Sequence, residues 1–60
     1  MFNVGDCVTV DNGVSINGTP LSEIPGEVEK VTSDYLFIKF DSFRYVANVK
    51  HCKKVKYKSH

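Results

Sequence analysis

The chain has no tryptophan, two cysteines, two prolines and two histidines among its 60 residues. Each scarcity removes something. Without an indole, both a proline-peptide groove and a full aromatic cage for a methylated ammonium are weakened. Cys7 and Cys52 lack the paired C-x-x-C spacing of a structural zinc site. His51, His60, Cys52 and Cys7 have no ligand spacing either, so neither a metal nor a cofactor is expected. Apolar runs are only a few residues long, too short for a membrane span. The Met1 segment has neither the basic start nor the apolar stretch of a secretory leader, so a cytoplasmic chain with two reduced, largely buried thiols is expected.

Acid is missing from the last part of the chain. Residues 44–60 carry Arg44, Lys50, Lys53, Lys54, Lys56 and Lys58 with no carboxylate, a balance of +6. Residues 1–43 carry seven acids against Lys30 and Lys39, a balance of −5, so a net charge of +1 hides a strong polarity.

What is present is an ordinary globular composition, 42% apolar and 25% charged. Sixty residues make one domain, residues 1–60. A chain of this size buries only about 60% of its unfolded surface, leaving room for a core of about a dozen side chains. A deep, enclosed active site does not fit.

The β-branched and aromatic residues concentrate between Pro25 and Val49 (PGEVEKVTSDYLFIKFDSFRYVANV). Three strands are predicted there, Gly26–Thr32, Tyr35–Phe40 and Arg44–Val49, separated by turns at Ser33-Asp34 and Asp41-Ser42. Val28 and Val31 break strict alternation, so a β-bulge around Glu29-Lys30 is expected to turn both inward. Gly26 permits close backbone approach. Leu36, Ile38 and Phe40 alternate toward the core and leave Tyr35, Phe37 and Lys39 outside. The next strand has two registers. A two-residue loop at Asp41-Ser42 puts Phe43, Tyr45 and Ala47 inward; a bulged loop puts Val46 inward and Tyr45 outside. Crowding in a small barrel favours the second.

Before the meander, Val4, Val8 and Val10 share one strand face, with Cys7 and Thr9 on the other. A turn at Gly5-Asp6 leads into that strand. Asp11–Ile24 reads as a long loop with two Asn-Gly pairs, Asn12-Gly13 and Asn17-Gly18, each favouring a type I′ turn. Val14-Ser15-Ile16 can fold back on the first strand, and the loop is either a specificity element or a solvated connection. After the meander, Lys50-His51-Cys52 suits a single 3₁₀ turn. Lys53–Tyr57 (KKVKY) suits a lysine-guarded edge strand, and Lys58-Ser59-His60 a frayed end.

Val4-Gly5-Asp6-x-Val8-x-Val10, Pro25-Gly26-x-Val28-x-x-Val31, Leu36-x-Ile38-x-Phe40 and Val49-x-x-Cys52-x-x-Val55 together resemble the SH3-like small β-barrels, in their KOW and Tudor branch. The likeness covers most of the chain outside the Asp11–Ile24 loop. It implies an all-β fold, a single five-stranded barrel with a long first loop and one 3₁₀ turn before the last strand. The first and last strands would then pair antiparallel, holding Cys7 and Cys52 about 10 Å or more apart, too far for a disulfide. The resemblance also implies a binding module rather than an enzyme. Type II dihydrofolate reductases have a similar layout, but their Val-Gln-Ile-Tyr stretch would fall near Arg44-Tyr45-Val46-Ala47, which does not match.

No catalytic group stands out. Cys52 adjoins His51, but neighbouring residues on an extended or turning chain point apart, which spoils a nucleophile–base pair. Nucleic acid is one candidate partner, met by Arg44, Lys50, Lys53, Lys54, Lys56 and Lys58 on the last two strands, with Tyr35, Phe37, Tyr45 and Tyr57 as stacking surfaces. A pI near 7.8 and lysine predominance also fit a solvated edge. A protein is the other candidate partner, met by Tyr35, Phe37 and either Val46 or Tyr45, in an adaptor or small inhibitor of the accessory kind carried by phages and plasmids. A homodimer would use the same patch. Charge and aromatic content leave these open.

Overall fold

The structure, a computed structural model, describes residues 1–56. Seven strands and two single 3₁₀ turns follow in order: β1 (Cys7–Val10), β2 (Ser15–Ile16), β3 (Thr19–Pro20), a turn at Leu21–Glu23, β4 (Gly26–Val31), β5 (Tyr35–Lys39), β6 (Arg44–Asn48), a turn at Val49–His51 and β7 (Cys52–Lys54). The fold is mostly β, with seven strands among the described residues rather than the expected five. The two additional strands, β2 and β3, form a small hairpin of their own inside what reads from sequence as a loop.

The other five make one antiparallel sheet in the order β6-β5-β4-β1-β7. It does not close into a barrel, which corrects the expectation. Closure would need β6 to bond to β7. Only the three-residue turn Val49–His51 separates these strands in sequence, yet β7 pairs with β1, so the two end as opposite edges.

The meander forms where β-propensity is densest. Its strands end one residue earlier than predicted. The ladder between β4 and β5 shifts between Val28 and Lys30, leaving Glu29 as the extra residue of the expected bulge. Val28, Leu36 and Ile38 are fully buried beside Val8, Val10 and Leu21, and Phe40 and Ala47 nearly so. Gly26 is required by this packing: a Cβ there would stand 2.5 Å from Ile38 Cγ2 and 2.8 Å from the Phe40 ring.

Two valines depart from their expected places. Val31 holds the inward parity but remains exposed, because β4 carries it past the core to a hollow it shares with Phe2 and Val49. Val4 is 67% exposed, since the turn falls one residue earlier than expected, at Val4-Gly5, closed by Asp6 N–H on the Asn3 carbonyl, and strand parity does not carry across it.

The strand after Asp41-Ser42 takes the register with Tyr45 and Ala47 inward, not the bulged one. Phe40 N–H donates to the Phe43 carbonyl at 2.8 Å, closing a two-residue hairpin. Crowding does not forbid it, because the sheet is open. Phe43 stacks on Phe40 with ring centroids 4.8 Å apart. Tyr45 is half-buried, and Val46 is 50% exposed on the other side.

In the first loop, Asn17 (φ 51°) and Gly18 (φ 82°) both take the left-handed conformation that a type I′ turn needs and join β2 to β3. At Asn12-Gly13 only the glycine does so, so that pair is not a type I′ turn. Asn12 Oδ1 instead accepts from Val14 N–H at 3.2 Å. The hairpin delivers Leu21 into the core, and Leu21 N–H bonds back to the Val14 carbonyl.

β7 pairs antiparallel with β1, Cys52 opposite Val10, while Val55 N–H reaches the Cys7 carbonyl. Cys7 and Cys52 therefore lie three residues apart along the ladder, about 10 Å, and both are free thiols. They are half-buried rather than largely buried. The 3₁₀ turn spans Val49–His51, one residue earlier than predicted. Of the predicted final strand Lys53–Tyr57, Lys53 and Lys54 belong to β7, Val55 and Lys56 follow it outside the strand, and Tyr57 and the Lys58-Ser59-His60 end lie outside the described residues.

Candidate functional site

Alternation along β5 places Tyr35, Phe37 and Lys39 on the face away from the core. The pairing Tyr35↔Asn48, Phe37↔Val46 and Lys39↔Arg44 brings three residues of β6 to the same face. Tyr35, Phe37 and Val46 are the large apolar side chains there, 48%, 37% and 50% exposed. Phe37 and Val46 stand directly opposite each other in a pair that exchanges no backbone hydrogen bonds, the closer of the two antiparallel spacings. Together with Tyr35 they form one continuous apolar surface.

Charges frame this surface. The bulge places Lys30 opposite Phe37, with its ammonium 5.4 Å from the ring centroid. Arg44 Nε donates to Glu29 Oε1 at 2.9 Å. Both partners are exposed, so the pair contributes at most about 1 kcal/mol to stability and offsets the arginine's charge only in part. Lys30 and Glu29 escape a sequence reading because the bulge must be placed to the residue before either can be assigned a neighbour.

The other predicted binding residues do not gather here. Tyr45 belongs to the opposite face, where its phenol oxygen accepts from Asn12 Nδ2 at 3.0 Å. Arg44 is on one edge strand, and Lys53 and Lys54 are on the other, so the last two strands are neighbours in sequence but not in the sheet. Lys54 Nζ lies 3.5 Å from Asp6 Oδ2 and 5.9 Å from the Phe2 ring centroid. Lys50, in the second 3₁₀ turn, Lys53 and Lys56 are exposed, with no acidic partner among the described residues. Tyr57 and Lys58, also expected to contribute, lie outside the described residues.

Burial raises the pKa of the Cys52 thiol, which disfavours the thiolate. Its Sγ donates to the Asn48 carbonyl at 3.4 Å. Among the described residues no three His, Cys, Asp or Glu side chains come together to hold a metal ion, and no helix is long and apolar enough to cross a membrane. One surface hollow of about 530 Å³ is lined by Cys7, Glu27, Lys39 and Asp41, among others. A second, of about 470 Å³, is lined by Phe2, Val31 and Val49 with their neighbours.

Comparison with protein-family models, with curated proteins and with solved structures finds no match to this chain.

Proposed function

We propose that this chain is a small non-catalytic binding module whose partner is a protein, met through Tyr35, Phe37 and Val46. The observation that carries this reading is the contiguity of those three exposed side chains on β5 and β6. Aromatic anchors within an otherwise polar surface are what protein interfaces concentrate at their centres. The layout is read as SH3-like of the KOW and Tudor kind, on the strand order, the excursion after β1 and the 3₁₀ turn before β7. Such a scaffold suits an adaptor or small inhibitor.

Nucleic acid is the less favoured partner. Lys30, Lys39 and Arg44 do share the face of Tyr35 and Phe37, but Arg44 is paired with Glu29, Tyr45 faces Asn12, and Lys53 and Lys54, from the acid-free last part of the chain, occupy the far edge. The test is capture from nuclease-treated lysate by the wild-type chain and by Phe37→Ser. The wild type is expected to retain a protein that the variant loses. Nuclease-sensitive capture, with affinity falling steeply as salt rises, would overturn the protein reading.

A further inference from the structure

The two edges of the five-stranded sheet differ. β7 is three residues long and carries Lys53 and Lys54, with Lys56 just beyond, the kind of edge that discourages pairing. β6 is five residues long, Arg-Tyr-Val-Ala-Asn, and its one charge is tied to Glu29.

The direction of the free backbone groups on β6 follows from its register. Phe40 N–H bonds to the Phe43 carbonyl, and Val49 N–H bonds to the Asp34 carbonyl. Counting inward from both ends, Tyr45 and Ala47 direct their N–H and C=O groups to β5. Arg44, Val46 and Asn48 therefore direct theirs to the open edge. Among the described residues the Asn48 carbonyl receives the Cys52 thiol, and the backbone groups of Arg44 and Val46 have no protein partner on that side. Side chains of the same three residues belong to the outer face beside Tyr35 and Phe37.

We propose that β6 pairs antiparallel with β6 of a second copy, about a two-fold axis at Val46, joining the two sheets edge to edge. Self-complementarity selects the occupant and the register. Centred on Val46, the pairing opposes Arg44 to Asn48 of the second copy, so no like charges meet and all three outward-directed residues are used. Centred on Arg44, it would oppose two arginines. Centred on Asn48, it would run into the turn at Val49–His51. The same pairing makes the two Tyr35-Phe37-Val46 surfaces continuous. This inference rests on the protein-binding reading above and enlarges its surface, since the pairing joins the two edges and leaves both apolar faces open. A five-residue ladder is a small contact, so the association is expected to be concentration-dependent.

The experiment combines sedimentation with amide hydrogen exchange from micromolar to millimolar concentration. The mass is expected to rise from 6.8 kDa toward the dimer value. Exchange at Arg44, Val46 and Asn48 should slow at least about tenfold over the range, while Tyr45 and Ala47 stay protected throughout. Val46→Lys should remain monomeric, and so should Val46→Glu. Their mixture should associate, since lysine then opposes glutamate, and this rescue excludes misfolding as the cause. A wild-type chain monomeric at millimolar concentration would overturn the pairing, as would a dimer whose Arg44, Val46 and Asn48 amides still exchange freely. Capture of a different protein that depends on Phe37 would survive either result, which separates failure of the pairing from failure of the reading beneath it.

Discussion

The side-chain amide of Asn12 donates to the phenol oxygen of Tyr45 across 3.0 Å, tying the loop after β1 to the core side of β6. The contact spans 33 positions of sequence and anchors the register in which Tyr45 faces in and Val46 faces out. Tyr45→Phe keeps the ring and removes the acceptor, so it is expected to cost about 1 kcal/mol, read from the midpoint of urea unfolding. An unchanged midpoint would mean that the bond contributes nothing to the register.

Leu21 has no accessible surface, although it lies in a stretch that reads as a connection. Leu21→Ala is expected to cost about 2–5 kcal/mol, the range for emptying a buried leucine site. Val14→Ser, at a more exposed position of the same loop, should change stability by less than about 0.5 kcal/mol. Equal effects from the two would contradict the view that the hairpin of β2 and β3 serves to plug the core.

Gly26 is held by packing rather than by an unusual backbone angle. A methyl group at this position meets both Ile38 and Phe40, core side chains with little space to give. Gly26→Ala is expected to destabilise by about 1–3 kcal/mol, the usual cost of overpacking. Combining it with Ile38→Ala, which removes the Cγ2 that the new methyl meets, should cost less in thermal unfolding than the sum of the two single losses. Strictly additive losses would place the strain elsewhere.

These residues also mark how far the fold was legible in sequence. Leu36, Ile38 and Phe40 alternate without interruption, so their burial follows from strand period alone. The odd spacing of Val28 and Val31 located the bulge, though Val31 lies beyond the core that would cover it. Leu21 was not legible, because it follows Asn-Gly turns and has no periodic neighbours to mark its face. The register of Tyr45 and Val46 is not legible for a related reason: the volume inside a closed barrel argues for the bulged loop, and the sheet is open. At the candidate site, Tyr35 and Phe37 were legible from alternation. The separation of Arg44 from Lys53 and Lys54 was not, since strands adjacent in sequence need not be adjacent in a sheet.

The claim that the face of β5 and β6 is where a partner sits is tested most directly by a photoreactive side chain placed in turn at Phe37 and at Lys53. Phe37 is on the apolar face and Lys53 on the opposite edge strand. Irradiation in cells is expected to give a protein adduct from position 37 and little from position 53. Nucleic-acid adducts from position 53, with none of protein from position 37, would contradict it.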